Sequence, residues 1–285
     1  MTKILVCIDG SEYSKSVCDH AAWAATALSA DVLLFHVLGH GEATGASVNL
    51  APSPDGDQHK ALDLEQAKLD EQSDKLAQKR GRLLLEEAKA RLQGAGVKGN
   101  ITIRLRHGDV ADTVNETEEF TDLVMIGKRG EGADFAKAHL GSNLERVVRG
   151  SAKPVLVTSR AFRPVRRALI AFDGGPAVMK AVDFLVDKSL LKGVAIDVVM
   201  AGSGGSGDKM RMEEAVGKLK KAGYSVQSLT LPGEPEKVIS GRIEAEAIDL
   251  LVMGAFGHGR IRNFFIGSTT TEMVRTCKVP VLLVR

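Results

Sequence analysis

The chain has 285 residues, 44% of them hydrophobic, and its 38 Lys and Arg against 36 Asp and Glu leave a net charge of +2. That length accommodates two domains of about 100–150 residues with separate cores, and basic residues dispersed among acids argue against a nucleic-acid footprint. Aromatics at 4% are too sparse for a base-stacking platform, and no apolar run approaches the ~18 residues of a membrane span.

The first predicted strand, Ile4 to Ile8, is a short apolar run of the kind buried on both faces of a parallel sheet, and it ends on Asp9-Gly10. Met1-Thr-Lys leads straight into it, leaving no room for a secretory signal. Cys7, Cys18 and Cys277 form no CxxC pair and no even set, so they read as small buried hydrophobes of a protein in a reducing cytoplasm. A helix is predicted over 14–30 and a second strand over 32–38. Next come a Gly, Ser and Pro stretch from Gly39 to Asp57 and a charged helical pattern from about Ala61 to Leu92. A helix of ~30 residues would be about 45 Å long, so this 38–92 segment reads as an insertion, either an arm or partner surface or a solvated helix extending the domain edge. Strands follow at 101–106, up to Gly127, and at Lys153-Pro-Val-Leu-Val-Thr158.

The chain then repeats itself. Arg167-Ala-Leu-Ile-Ala-Phe-Asp173-Gly174 restates Lys3-Ile-Leu-Val-Cys-Ile-Asp9-Gly10, and Asp249-Leu-Leu-Val-Met-Gly254 restates Asp122-Leu-Val-Met-Ile-Gly127. Further strands are predicted at 195–201, 225–231 and 279–284, with a helix over 176–191. Alternating strands and helices imply right-handed crossovers, so the expected fold is α/β, two tandem doubly wound parallel-sheet domains over residues 1–160 and 161–285. Asp9 to Asp173 spans 164 positions, as does Val37 to Ala201, whereas Gly108 to Gly233 spans 125, which confines the extra residues to the first half between Val37 and Gly108.

Ligands of such sheets bind beyond the carboxyl ends of the strands. In the second half the fourth strand runs into Gly254, Gly257, and Gly267-Ser268-Thr269 at the start of a helix, whose free N–H groups and dipole suit phosphate. The same residues also read as an ordinary helix start, Thr269-x-x-Glu272 being a capping box. His36, His40, His107 and His139 sit at turns and read as packing residues. Gly202-Ser-Gly204-Gly-Ser-Gly207 fits a dinucleotide fingerprint, but follows the second strand of its unit and reads better as a flexible connection. Neither a Walker sequence nor a Ser-His-Asp arrangement is present.

The spacing Gly254-x2-Gly257-x9-Gly267-Ser268, with Asp9-Gly10-Ser11, His36-Val37 and Val279-Pro-Val-Leu-Leu-Val284, resembles the ATP-binding signature of the universal stress protein family, the adenine nucleotide alpha hydrolase-like fold. Both halves match nearly end to end. The resemblance implies that Asp173 lies near ribose and any Mg2+ or Mn2+, that the Ala201 backbone holds adenine, and that Gly254, Gly257, Gly267, Ser268 and Thr269 hold phosphates. His258, Arg260 and Arg262 of the loop could add charge, though they read first as solvated residues. A second, weaker site would use Asp9, Val37, Gly127, Gly130, Gly141, Ser142 and Asn143. There the loop is one residue longer, Asn143 replaces a hydroxyl, and Ser142-x-x-Glu145 puts an acid in the first helical turn. The resemblance also implies that 155–158 and 281–284 meet as an intramolecular pseudo-dimer, leaving a homodimer and a protein partner open. The expected function is ATP binding, mainly by the second domain, in a cytoplasmic stress-response sensor or adaptor. The alternatives are a nucleotide-independent interaction protein acting through the insertion, and a slow ATPase. With no base placed beside a water, catalysis is not expected.

Overall fold

The computed structural model describes residues 1–39, 56–130, 141–255 and 268–285. In the first half, β1 (Lys3–Cys7), α1 (Tyr13–Leu28), β2 (Asp31–Leu38), α2 (Gly56–Gly94), β3 (Ile101–His107), α3 (Val110–Thr117), β4 (Leu123–Gly127), α4 (Ser142–Gly150) and β5 (Val155–Thr158) follow one another. The second half repeats the order with β6 (Arg167–Ala171), α5 (Pro176–Lys188), β7 (Ala195–Ala201), α6 (Ser206–Lys221), β8 (Ser225–Leu231), α7 (Pro235–Ala245), β9 (Leu250–Gly254), α8 (Ser268–Thr276) and β10 (Val281–Val284).

All ten strands form one sheet in the order β3-β2-β1-β4-β5-β10-β9-β6-β7-β8. Pairing is parallel except where β5 meets β10, antiparallel, with Leu156 opposite Leu282. The two last strands therefore join the halves edge to edge, which removes an exposed strand edge from each. Alternate residues of β1 feed opposite layers: Ile4 and Val6 belong to the layer that holds the buried faces of α1, α2, α5 and α6, and Leu5 and Cys7 to the layer that holds those of α3, α4, α7 and α8. Both sides of each central strand are dry, which is why these strands read as continuous apolar runs.

Two repeated motifs are explained by local geometry. Gly10 and Gly174 both have positive φ, 80° and 73°, so each Asp-Gly pair turns the chain from strand into helix through a conformation that a Cβ disfavours. Asp122 and Asp249 serve the opposite edge: Asp122 accepts from the Lys3 N–H at 2.9 Å and Asp249 from the Arg166 N–H at 2.9 Å, tying each fourth strand to the first. The predicted first helices run a few residues too long, because Ser29 and Ser189 adopt left-handed caps with φ of 48° and 57°.

The predicted insertion helix has a different composition of roles from the one expected. Leu85, Ala88 and Leu92 of α2 are buried, and they match Met212, Ala215 and Leu219 of α6 at a constant offset of 127. Both helices end the same way, on Gly96 and Gly223 in left-handed conformation with φ of 84° and 88°. The last four turns of α2 are thus the ordinary crossover helix of the fold, and the added residues lie wholly upstream of them. Residues 40–55 of the predicted loop lie outside the described residues.

Candidate nucleotide site

In the second half, the carboxyl ends of β6, β7 and β9 open onto a cleft of about 310 Å³ that Asp173, Ala201, Gly254, Ser268 and Thr269 all line. Residues separated by almost a hundred positions converge there because parallel strands end on one side of the sheet. Asp173 Oδ1 accepts the Gly175 N–H at 2.8 Å, which ties the acid to the turn after β6. Gly254 is closely packed: a Cβ there would stand 3.0 Å from the Ala177 Cβ of α5. The predicted capping box at Thr269 is not formed. Helix α8 already begins at Ser268, Glu272 pairs with Arg275, and the Thr269 hydroxyl donates to Glu236 at 2.6 Å, a bond that holds the Glu236 carboxyl below its ordinary range. Gly257, Gly267, His258, Arg260 and Arg262 lie outside the described residues.

Sequence reasoning missed Asp208, Met200 and Ile239, which complete the cleft wall. Asp208 accepts the Gly205 N–H at 3.2 Å and ion-pairs with Arg211, which also donates to the Gly174 carbonyl at 2.9 Å. Its signal lay in the discounted glycine stretch, where Gly205 precedes the third helical position held by Asp208. The glycines themselves answer backbone needs: Gly202 and Gly204 have φ of 85° and 56°, and a Cβ on Gly204 would stand 2.4 Å from the Met200 sulfur.

The first half shares the frame but not the cleft. Asp9 Oδ1 accepts from the Ser11 N–H at 3.1 Å and the Ser14 hydroxyl at 3.2 Å, while a Cβ on Gly130 would stand 2.8 Å from Asp9 Oδ2. A cleft of about 300 Å³ lies against Asp9, His36 and Leu38, but its far wall is α2, through Ser73, Leu76 and Arg80. Val37, Gly127, Gly130, Gly141, Ser142 and Asn143 do not line it. The Ser142-x-x-Glu145 box is likewise not formed: Gly141 is the cap, and Glu145 pairs with Arg149 at 2.5 Å. His36 is buried, its Nδ1 bonded to the Ile8 carbonyl at 2.8 Å, in keeping with a packing residue. His40 and His139 lie outside the described residues.

A model of the Universal stress protein family matches the chain twice, over residues 1–159 and 164–285. The chain belongs to the universal stress protein family. It is similar to Universal stress protein Slr1230 of Synechocystis sp., 34% identical over 288 residues and covering 100% of both chains. Universal stress protein Rv1996 of Mycobacterium tuberculosis is 25% identical over 223 residues, 67% of each. A solved universal stress protein from Archaeoglobus fulgidus superposes with a TM-score of 0.67 at 20% identity, covering 99% of this chain and 96% of the other, which bears on the fold.

In this tandem universal stress protein a side chain of the first half reaches the end of α8 in the second. Lys128, directly after Gly127, donates from Nζ to the Cys277 carbonyl at 2.7 Å. That carbonyl ends α8, whose other end faces the second-half cleft, and a cation there complements the helix dipole. Burial lowers the Lys128 ammonium to about 8. Among the described residues no helix is long and apolar enough to cross a membrane, and no cluster of three or more His, Cys, Asp or Glu could hold a metal by itself.

Proposed function

We propose that the protein binds ATP in the second-half cleft and acts as a nucleotide-dependent sensor or adaptor in a stress response. The convergence of Asp173, Ala201, Gly254, Ser268 and Thr269 on one cleft of about 310 Å³ carries this reading. The volume is at the lower end of small-ligand pockets, sufficient for a nucleoside with its phosphates extending towards solvent. Met200 and Ile239 offer an apolar wall for a base, and Asp173 offers a carboxylate for ribose hydroxyls. The first turn of α8 offers N–H groups and the Ser268 hydroxyl to phosphate. Two acids, Asp173 and Asp208, line the same cleft, so a polyphosphate is best accommodated with a divalent cation, Mg2+ or Mn2+, that it brings along and that neutralises its charge.

The first half is proposed as the weaker site. Its cleft is closed on one side by α2, and Gly141, Ser142 and Asn143 are not part of its wall. Isothermal titration of ATP into the full chain tests both statements. Asp173→Ala is expected to weaken binding by about tenfold or more, equivalent to about 1.4 kcal/mol, and Asp9→Ala to leave the tighter phase unchanged. Equal losses from the two substitutions would remove the asymmetry, and no heat in the wild type would remove nucleotide binding itself.

A further inference from the structure

The upstream part of α2 has no counterpart in the second half and is not used by the fold. From Glu65 to Ser73 every side chain is exposed except the half-buried Asp70. A helical stretch that packs on nothing is marginal in water. From this stretch into the crossover part of α2 an exposed leucine recurs every seventh residue, Leu69, Leu76 and Leu83, which are 57%, 49% and 56% exposed, and the sequence continues that spacing back to Leu62. Seven residues return to nearly the same side of a helix, so these leucines form one seam, distinct from the buried stripe of Leu85, Ala88 and Leu92. Charge divides the same segment lengthwise: Glu65, Asp70, Glu71 and Asp74 come first, with Lys68 as the one base among them, and Lys75, Lys79, Arg80 and Arg82 follow with no acid among them.

We propose that α2 is a self-association element, against which a second copy of this chain lays its own α2 antiparallel, with the two-fold axis between Gln72 and Ser73. In this register Leu69 of each copy lies beside Leu76 of the other. Asp70 is level with Lys75 of the other copy and Glu65 with Arg80, and symmetry makes each match twice; beside the axis Glu71 lies level with Asp74, a like-charge pair relieved by the Lys75 that each Glu71 holds within its own helix at 2.6 Å. A parallel arrangement would set acids against acids and bases against bases. Exposed ion pairs add little affinity, so here they choose orientation, and the leucines supply the buried surface. Gln66, Ser73 and Arg80 interrupt the seam once per heptad, so the association is modest and concentration-dependent. Because Leu76 and Arg80 also wall the first-half cleft, the second copy would lie beside that cleft.

Sedimentation velocity of the full chain over a range of micromolar concentrations tests the proposal, with monomer–dimer exchange as the expected result. The double variant Leu69→Glu, Leu76→Glu is expected to raise the dissociation constant by about tenfold or more, with an unchanged thermal unfolding profile because both leucines are exposed. Orientation is read by cross-linking, since Cys7, Cys18 and Cys277 are buried. Chains carrying Glu65→Cys are expected to form disulfides with chains carrying Lys79→Cys, and neither with itself. A monomer at every concentration, a dimer that persists in the double variant, or self-linked Glu65→Cys chains would overturn the proposal.

Discussion

Asp9 and Asp173 end equivalent strands and each accepts the backbone N–H two residues on, yet α2 walls the cleft beside Asp9 whereas α6, α7 and α8 wall the cleft beside Asp173. What distinguishes twin residues is their neighbours, and the cysteines show it as well. Burial pushes the Cys7 and Cys18 thiols up to about 12, so neither is expected to react with a thiol reagent near pH 8 until the protein unfolds. An acid whose value is raised on folding stabilises below its ordinary range and loses that contribution as pH climbs, so these thiols oppose alkaline stability. Lys128 has the contrary sign. Its folded value of about 8 lies below the ordinary 10.5, so folding releases its proton between those limits and the residue becomes less unfavourable as pH rises through them. Urea denaturation of wild type and Lys128→Met at about pH 7 and about pH 10 is expected to show the difference moving in favour of wild type at the higher pH.

At the scale of elements, glycines separate close packing from mere tolerance. A Cβ on Gly99 would stand 2.0 Å from the Ala30 carbonyl oxygen, backbone against backbone, so Gly99→Ala is expected to destabilise by about 1–3 kcal/mol as overpacking does. Gly217 in α6 and Gly241 in α7 have nothing within 4 Å of that position, so alanine there is expected to stabilise by about 0.4–1 kcal/mol. Chemical denaturation reads both. The helices and strands were legible from periodicity because their burial is itself periodic, as Ile4 and Val6 against Leu5 and Cys7 show. The two helix-opening boxes were misread for a related reason. Ser142-x-x-Glu145 and Thr269-x-x-Glu272 have the spacing, but the helices begin at Ser142 and Ser268, so the first residue of each box is already helical, and each glutamate pairs with an arginine three or four residues on. Spacing specifies which groups can meet, and competing partners decide which do.

For the whole molecule, the decisive contact is β5 against β10. Leu156 and Leu282 are fully buried at that junction, and the two core layers run continuously through both halves. Thermal unfolding is therefore expected to be a single transition with coincident far- and near-ultraviolet signals. A fragment comprising residues 164–285 alone would expose the edge of β10 and is expected to self-associate by light scattering.

By itself the sequence determined the duplication, the alternation of strand and helix, the acid-glycine turns and the membership in a family, because each is written in local spacing or in identity between twins. Tertiary structure decided what no local pattern contains. It divided α2 into a crossover helix and an unpacked segment, since only packing distinguishes Leu85 from Leu83. It brought Asp208 and Ile239 to the same cleft as Asp173, and it walled the first cleft with α2 and the second with α6, α7 and α8. These are contacts between residues distant in the chain, and the physical reason they escape a reading of sequence is that convergence depends on the order and direction of all ten strands together.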